Sequence, residues 1–286
     1  MYLCINKVIK TMETTKKYEL SNETIEINGV TLHRIKALKK FSAVKKGDLG
    51  GWIEKEENLS QMGNAWVYSN AKVYGNAEVH GNAKVFGDAQ VYGSAQVFAN
   101  AQVYGNTFVC GNAKVYGNAE VHGDAQVFAN AQVYGNAEVY GNVNVYDNAQ
   151  VCGYAQVYGN AVVCDNAVVY GNAKVFDNAK VYGYAWVYDK SSVHGNARIR
   201  DYAEVYNNAE ICGNAVVCDD ADYIVFKNFW SSSRHFTWTR SNNMWSAGCF
   251  YGTGKELIEK AYADSETSGR ECERVVKYVD SILADK

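Results

Sequence analysis

AQVYGNAEVYGN, residues 131–142, states one hexapeptide twice, and the same six-residue period runs through most of the chain. An aliphatic residue stands at Val67 and at every sixth position to Val217, twenty-six positions without an insertion, and only Ile199 and Ile211 depart from Val. Two residues before each stands Ala, except at Thr107, Val143 and Ser191. A short fixed period of this kind means that each repeat stacks on its neighbours, and it predicts a β-solenoid.

Within A-x-V-Y, strand alternation puts Ala and Val on one side and the variable and aromatic residues on the other. The variable position is mostly Lys, Glu or Gln, as at Lys72, Glu78, Lys84 and Gln90. Those side chains belong in water, so Ala and Val face inward. The pair that follows is usually Gly-Asn, sometimes Asp-Asn or Ala-Asn, and these residues tolerate the positive φ of a tight corner. Three strand–corner units make a triangular coil, and coils stack at about 4.8 Å. Twenty-six repeats then give just under nine coils, a prism roughly 40 Å long by that spacing. Both ends expose unpaired backbone and need caps.

An aliphatic residue followed four positions later by a small one, as in Val73 and Ala77, resembles the motif of the hexapeptide-repeat (LpxA-like) superfamily. The resemblance covers residues 63–221. It implies a single-stranded left-handed parallel β-helix; the handedness comes from the resemblance, because the general rule for parallel crossovers is right-handed.

Residues 1–62 read as an N-terminal β-hairpin cap. KYEL and ETIEI lead to Asn28-Gly29, a tight-turn signal, and then to VTLHRIKAL. Met12 offers a second start, which makes residues 1–11 a candidate upstream extension. Phe41, Val44, Lys45, Gly47, Gly50, Gly51, Trp52 and the run Glu57, Asn58, Leu59, Ser60, Gln61 resemble the cap of YdcK-like proteins, which are often labelled transferases. Residues 222–286 read as a small α+β domain. IVFKNF, HFTWTRS and MWSAGCFYG predict three strands. Thr253 caps a helix over 254–264 with Glu256 completing a capping box, and a second helix runs from about Gly269. This segment is similar to a terminal domain of phage and prophage hexapeptide-repeat proteins, which implies a mobile-element origin.

The net charge is −3. Residues 1–62 carry 11 Lys/Arg against 8 Asp/Glu, residues 63–221 carry 8 against 14, and residues 222–286 carry 9 against 9. No segment is basic enough to trap nucleic acid. No apolar run approaches the ~18 residues of a membrane span, and the N-terminus is too short and polar for a secretory signal. Cys110, Cys152, Cys164, Cys212 and Cys218 share the repeat position that Tyr or Phe usually fills. They read as reduced thiols standing in for an aromatic, in the cytosol of a bacterial host.

Acyltransferases of the resembled superfamily use a His on or near a loop that interrupts the repeat, with acyl-CoA between subunits. Here the repeat is uninterrupted, and His80, His122 and His194 all occupy the Tyr position. The sequence pairs none of them with an orienting carboxylate. His235, Cys249 and Cys272 offer a nucleophile–base combination, but Cys249 reads as a core residue of an apolar strand. No catalytic, cofactor or metal site is assigned.

What exceeds the needs of the fold is the outward aromatic position. Tyr104, Tyr140 and Tyr158 lie on one face, and Tyr116, Tyr134, Tyr170 and Tyr188 on another. Stacked aromatics stabilise neighbouring strands, and exposed aromatic strips also mark interfaces; the two readings are compatible. In the C-terminal domain, Phe236 or Trp238 beside Arg234 and Arg240 is expected to stay exposed as an anchor. The sequence therefore predicts a non-enzymatic scaffold that engages a protein partner, including a host defence component, and forms a homodimer or homotrimer. An acyl-CoA-dependent acyltransferase and a phage structural component are the alternatives.

Overall fold

The computed structural model describes residues 16–230 and 233–284. The candidate upstream extension, residues 1–11, lies outside the described residues. The chain opens with β1 (Tyr18–Ile27) and β2 (Val30–Ala37), an antiparallel hairpin. Its turn has Asn28 at φ +50° and Gly29 at φ +80°, as a two-residue hairpin loop with primed geometry requires. β3 (Leu49–Ile53) pairs antiparallel with β2 and parallel with Lys72–Val73, so the hairpin continues one face of the solenoid. Gly50 and Gly51 make this join possible. A Cβ on Gly50 would lie 2.6 Å from the Ile35 side chain and the Val67 carbonyl, and one on Gly51 would lie 2.5 Å from the Ala71 carbonyl.

From β4 (Trp66–Val67) to β29 (Val216–Val217) every repeat contributes one short strand. The strands form three parallel sheets, of nine and eight strands and a third that β1–β3 extend to twelve. Register is constant: Val121 faces Val139, and each aliphatic residue faces its counterpart one coil later. All the repeat valines, isoleucines and alanines are buried in one continuous core. The three breaks in the Ala position are buried as well. Thr107 and Ser191 keep their hydroxyls satisfied inside by donating to the Tyr104 and Tyr188 carbonyls at 2.6 and 2.7 Å. Val143 needs no such partner.

The corners also stack. Asn64, Asn82, Asn100 and Asn118 each donate an amide N–H to the amide oxygen of the next Asn along one edge, at 3.0 Å, the ladder ending on Asn136. The corner residue before each Asn lies at positive φ, whether Gly, Asp, Ala, Ser or Asn. At three corners where Asp replaces Gly, the carboxylate accepts a backbone N–H one coil on: Asp165 from Gly183 at 2.9 Å, Asp177 from Gly195 at 3.2 Å and Asp189 from Asn207 at 3.3 Å.

The C-terminal domain has four antiparallel strands, β30 (Tyr223–Lys227), β31 (His235–Thr239), β32 (Met244–Ala247) and β33 (Phe250–Gly252), where the sequence predicts three. MWSAGCFYG is a hairpin, because Gly248 turns at φ +64°. α1 (Gly254–Asp264) begins at the predicted capping box: Glu256 N–H donates to Thr253 Oγ1 at 3.3 Å, and the Glu256 carboxylate accepts the Thr253 N–H at 2.7 Å. α2 (Glu266–Ala284) starts three residues earlier than expected, directly after Ser265.

Candidate binding surfaces

Where rings follow one another on a face they mostly lie flat on the ring of the next coil, Tyr68 meeting Phe86 edge-on instead. On the nine-stranded face Phe86, Tyr104, His122, Tyr140, Tyr158, Phe176 and His194 form one unbroken stack, with centroids 4.6–5.0 Å apart and planes within 8°. On the eight-stranded face Tyr116 stacks on Tyr134 at 4.9 Å and Tyr170 on Tyr188 at 4.9 Å, with Cys152 between the two pairs. All seven interface tyrosines are half-buried, because each ring covers its neighbour. Burial pushes the hydroxyl pKa values of Tyr104, Tyr116, Tyr140, Tyr158, Tyr170 and Tyr188 up, and at Tyr134 a hydrogen bond with Cys152, with burial second, does the same.

The hydroxyls follow a rule of their own, reaching the variable residue of the next coil. Tyr104 donates to Glu120 at 3.3 Å, Tyr116 to Gln132 at 3.2 Å, Tyr134 to Gln150 at 3.1 Å and Tyr188 to Glu204 at 2.8 Å. His194 uses the same relation: its Nε2 lies 3.2 Å from Glu210, and its Nδ1 lies 3.9 Å from Asp177. The expectation that no histidine meets a carboxylate is therefore corrected. The contact is nevertheless the ladder contact, made by a ring stacked on Phe176 at 4.7 Å. His122, between Tyr104 and Tyr140, is held below the usual imidazole range by burial, against an upward pull from Glu120 and Glu138.

The expected anchors of the C-terminal domain are not exposed. Phe236 is 6% and Trp238 1% accessible. β31 lies inside a sandwich, so both of its faces are covered. Phe236 and Trp238 pack with Trp245, Leu257, Ala261, Cys272, Val276 and Val279 under the two helices, and the Trp238 indole N–H donates to Asn243 at 2.8 Å. Thr237, on the opposite side, accepts the Glu210 N–H at 2.9 Å, and Ser246 of β32 donates to the Glu210 carbonyl at 2.7 Å. Val216 N–H reaches Ser241 at 2.7 Å, and the buried Tyr223 hydroxyl donates to the Glu204 carbonyl at 3.0 Å. Side chains of the small domain thus satisfy backbone groups that the last coil leaves open. Arg234 is exposed, and Arg240 is half-buried with its guanidinium 4.0 Å from Asp222.

Cys249 is exposed in the hairpin turn, not in the core of a strand. Cys272 is buried, and burial pushes its thiol up to about 11. Among the described residues no group of three or more His, Cys, Asp or Glu side chains is placed to hold a metal ion. No described helix is long and apolar enough to cross a membrane.

The sequence reading overlooked the exposed aromatics of the solenoid corners. Tyr184 and Tyr202 replace the corner Asn and stack at 5.2 Å, and Trp186 replaces the charged variable residue beside them. Tyr154 does the same at another corner. The signal was available as a departure from the repeat consensus at positions that face water.

Residues 155–171 match the model of the YdcK beta solenoid repeat family. No curated protein matches the chain. The matched repeat, and the parallel solenoid of the same period that continues it in both directions, fit the hexapeptide-repeat β-helix superfamily.

Proposed function

We propose that the protein is a non-enzymatic β-solenoid scaffold that engages a protein partner through its outer faces and C-terminal domain. The observation that carries this reading is the unbroken stack from Phe86 to His194, a rigid strip of half-buried aromatic rings on a flat parallel sheet. Aromatic strips of this kind lose little side-chain entropy on binding and suit an interface core. The interior is filled by Val and Ala, so ligands must be met from outside. The resemblance of the C-terminal segment to phage and prophage proteins supports a partner in a bacterial cytosol, and one solenoid face also suits a homodimer or homotrimer contact.

The test is affinity capture from a bacterial host with the full chain and with a Tyr140→Lys, Tyr158→Lys variant whose circular dichroism is unchanged. A discrete protein held by the first and lost by the second supports the scaffold. Saturable binding of acetyl-CoA favours an acyltransferase instead, and copurification with virions favours a phage structural component.

A further inference from the structure

The ring stack on the twelve-stranded face has a gap. Phe128 stacks on Tyr146 at 4.9 Å, but the next coil places Cys164 where a ring belongs, and Tyr182 follows one coil later. Tyr146 and Tyr182 are thus two coils apart, roughly 9.6 Å by the strand spacing, which is twice the interval at which this protein stacks its own rings. Similar gaps stand at Cys110 and Cys152, but there Phe108 and Gln150 rise beside the cysteine; beside Cys164 stands the short Val162. The result is a depression of about 590 Å³ with Val162 and Cys164 at its floor, rimmed by Tyr146, Tyr182, Asn144, Lys180 and Arg198.

Its electrostatics run against the acidic solenoid. Lys180 and Arg198 face one another directly across adjacent coils, an arrangement that costs stability when like charges stand opposite. Neither forms an ion pair among the described residues, and both are exposed. On the other side of the gap lie Asp147 and Asp165, the latter tied to the Gly183 N–H. A ligand is therefore polarised: a flat ring in the gap, and negative charge toward Lys180, which lies roughly 8 Å from the Cys164 position by the coil rise and the spacing of alternate strand residues.

We propose that this gap is a binding site for a purine nucleoside monophosphate, with the base filling the missing place in the stack and the phosphate on Lys180 and Arg198. The ring supplies stacking that the ladder lacks at Cys164. The two cations supply charge-assisted hydrogen bonds. Asn144 offers an amide to the base edge. The open face makes binding weak, and the site stands independently of the protein partner proposed above.

The experiment is titration of adenosine 5′-monophosphate into the full chain, followed by NMR. Saturation below about 10 mM is expected, with adenosine and ribose 5-phosphate each at least about tenfold weaker. Cys164→Tyr restores the residue that the repeat prefers, so it folds, and it should abolish binding. Lys180→Gln with Arg198→Gln should weaken binding about tenfold and flatten its salt dependence. No saturation by about 10 mM, undiminished binding to Cys164→Tyr, or ribose 5-phosphate binding as tightly as the nucleotide would each overturn the proposal.

Discussion

The Lys17 ammonium donates to the Ala65 carbonyl, 48 residues later, at 2.9 Å inside the N-terminal cap. It also lies 5.2 Å from the centre of the Phe41 ring. Gln61 closes the same junction by accepting the Lys17 N–H at 2.7 Å and donating to the Tyr18 carbonyl at 3.2 Å. Asn58, fully buried, donates to the Gly75 and Ala77 carbonyls. The cap thus holds the first coil with polar side chains, as the small domain holds the last.

Burial, with Lys39 second, lowers the Lys17 pKa to about 8. The folded state therefore binds fewer protons than the unfolded state between that pH and the ordinary lysine range. Stability gains a rising contribution as pH increases through this window, and the cost of the buried charge is fully present below it. The buried thiols, whose pKa values are raised, pull stability the other way in this window in both proteins. The test is therefore the difference: the melting temperature of the wild type relative to Lys17→Met should rise from pH 8 to 9.5. An identical slope in both proteins would show that Lys17 is not the group responsible.

Val139 stands mid-solenoid between the buried Val121 and Val157. Val139→Asp introduces a carboxylate with no partner there, at a cost of about 3–5 kcal/mol. Denaturant unfolding measures this. A soluble variant with an unchanged midpoint would mean that the Val side chains do not face inward.

Thr237 and Ser246 together satisfy both backbone groups of Glu210. Replacing them with Val and Ala leaves a buried N–H and C=O open, at about 1–3 kcal/mol each. Hydrogen exchange should speed up first in the last two coils, around Ser192–Val193 and Glu210–Ile211. Loss of protection spread evenly over the whole solenoid would contradict an end-capping role.

Burial between two rings lowers the His122 pKa, against the upward pull of Glu120 and Glu138, so its folded value lies below its unfolded one. Stability from this site is present above the unfolded pKa and is lost as pH falls through the lowered one. His122→Tyr should therefore gain melting temperature over the wild type progressively from pH 7 to pH 5. A constant offset across that range would count against the linkage.

His194→Ala removes a ladder ring and its Glu210 contact. Any catalytic activity of the intact protein should survive this change nearly unaltered. A fall of about 100-fold in a transferase assay with folding intact, roughly 2.7 kcal/mol of transition-state stabilisation, would make His194 a catalytic residue.

The end of the chain shows where sequence reading stops. Thr253 and Glu256 are three residues apart, and a local rule sufficed to place the first helix start. Phe236 and Trp238 could not be placed that way. An alternating strand announces two different faces, but only packing decides whether the polar one meets water or another part of the protein. Here Thr237 meets the last coil and Trp238 meets the helices, so the strand is buried on both sides.

The hexapeptide by itself determined the solenoid, its inward Val and Ala, its corners and its need for caps, because each follows from contacts between neighbouring coils that a fixed period repeats. Tertiary structure alone decided how the ends close. Lys17 on Ala65, Asn58 on Gly75 and Ser246 on Glu210 join residues from 17 to 48 positions apart in geometries that no local pattern encodes. It also decided what the surface offers. A missing ring at Cys164 becomes a gap only because Val162 beside it is short and Tyr182 returns one coil later.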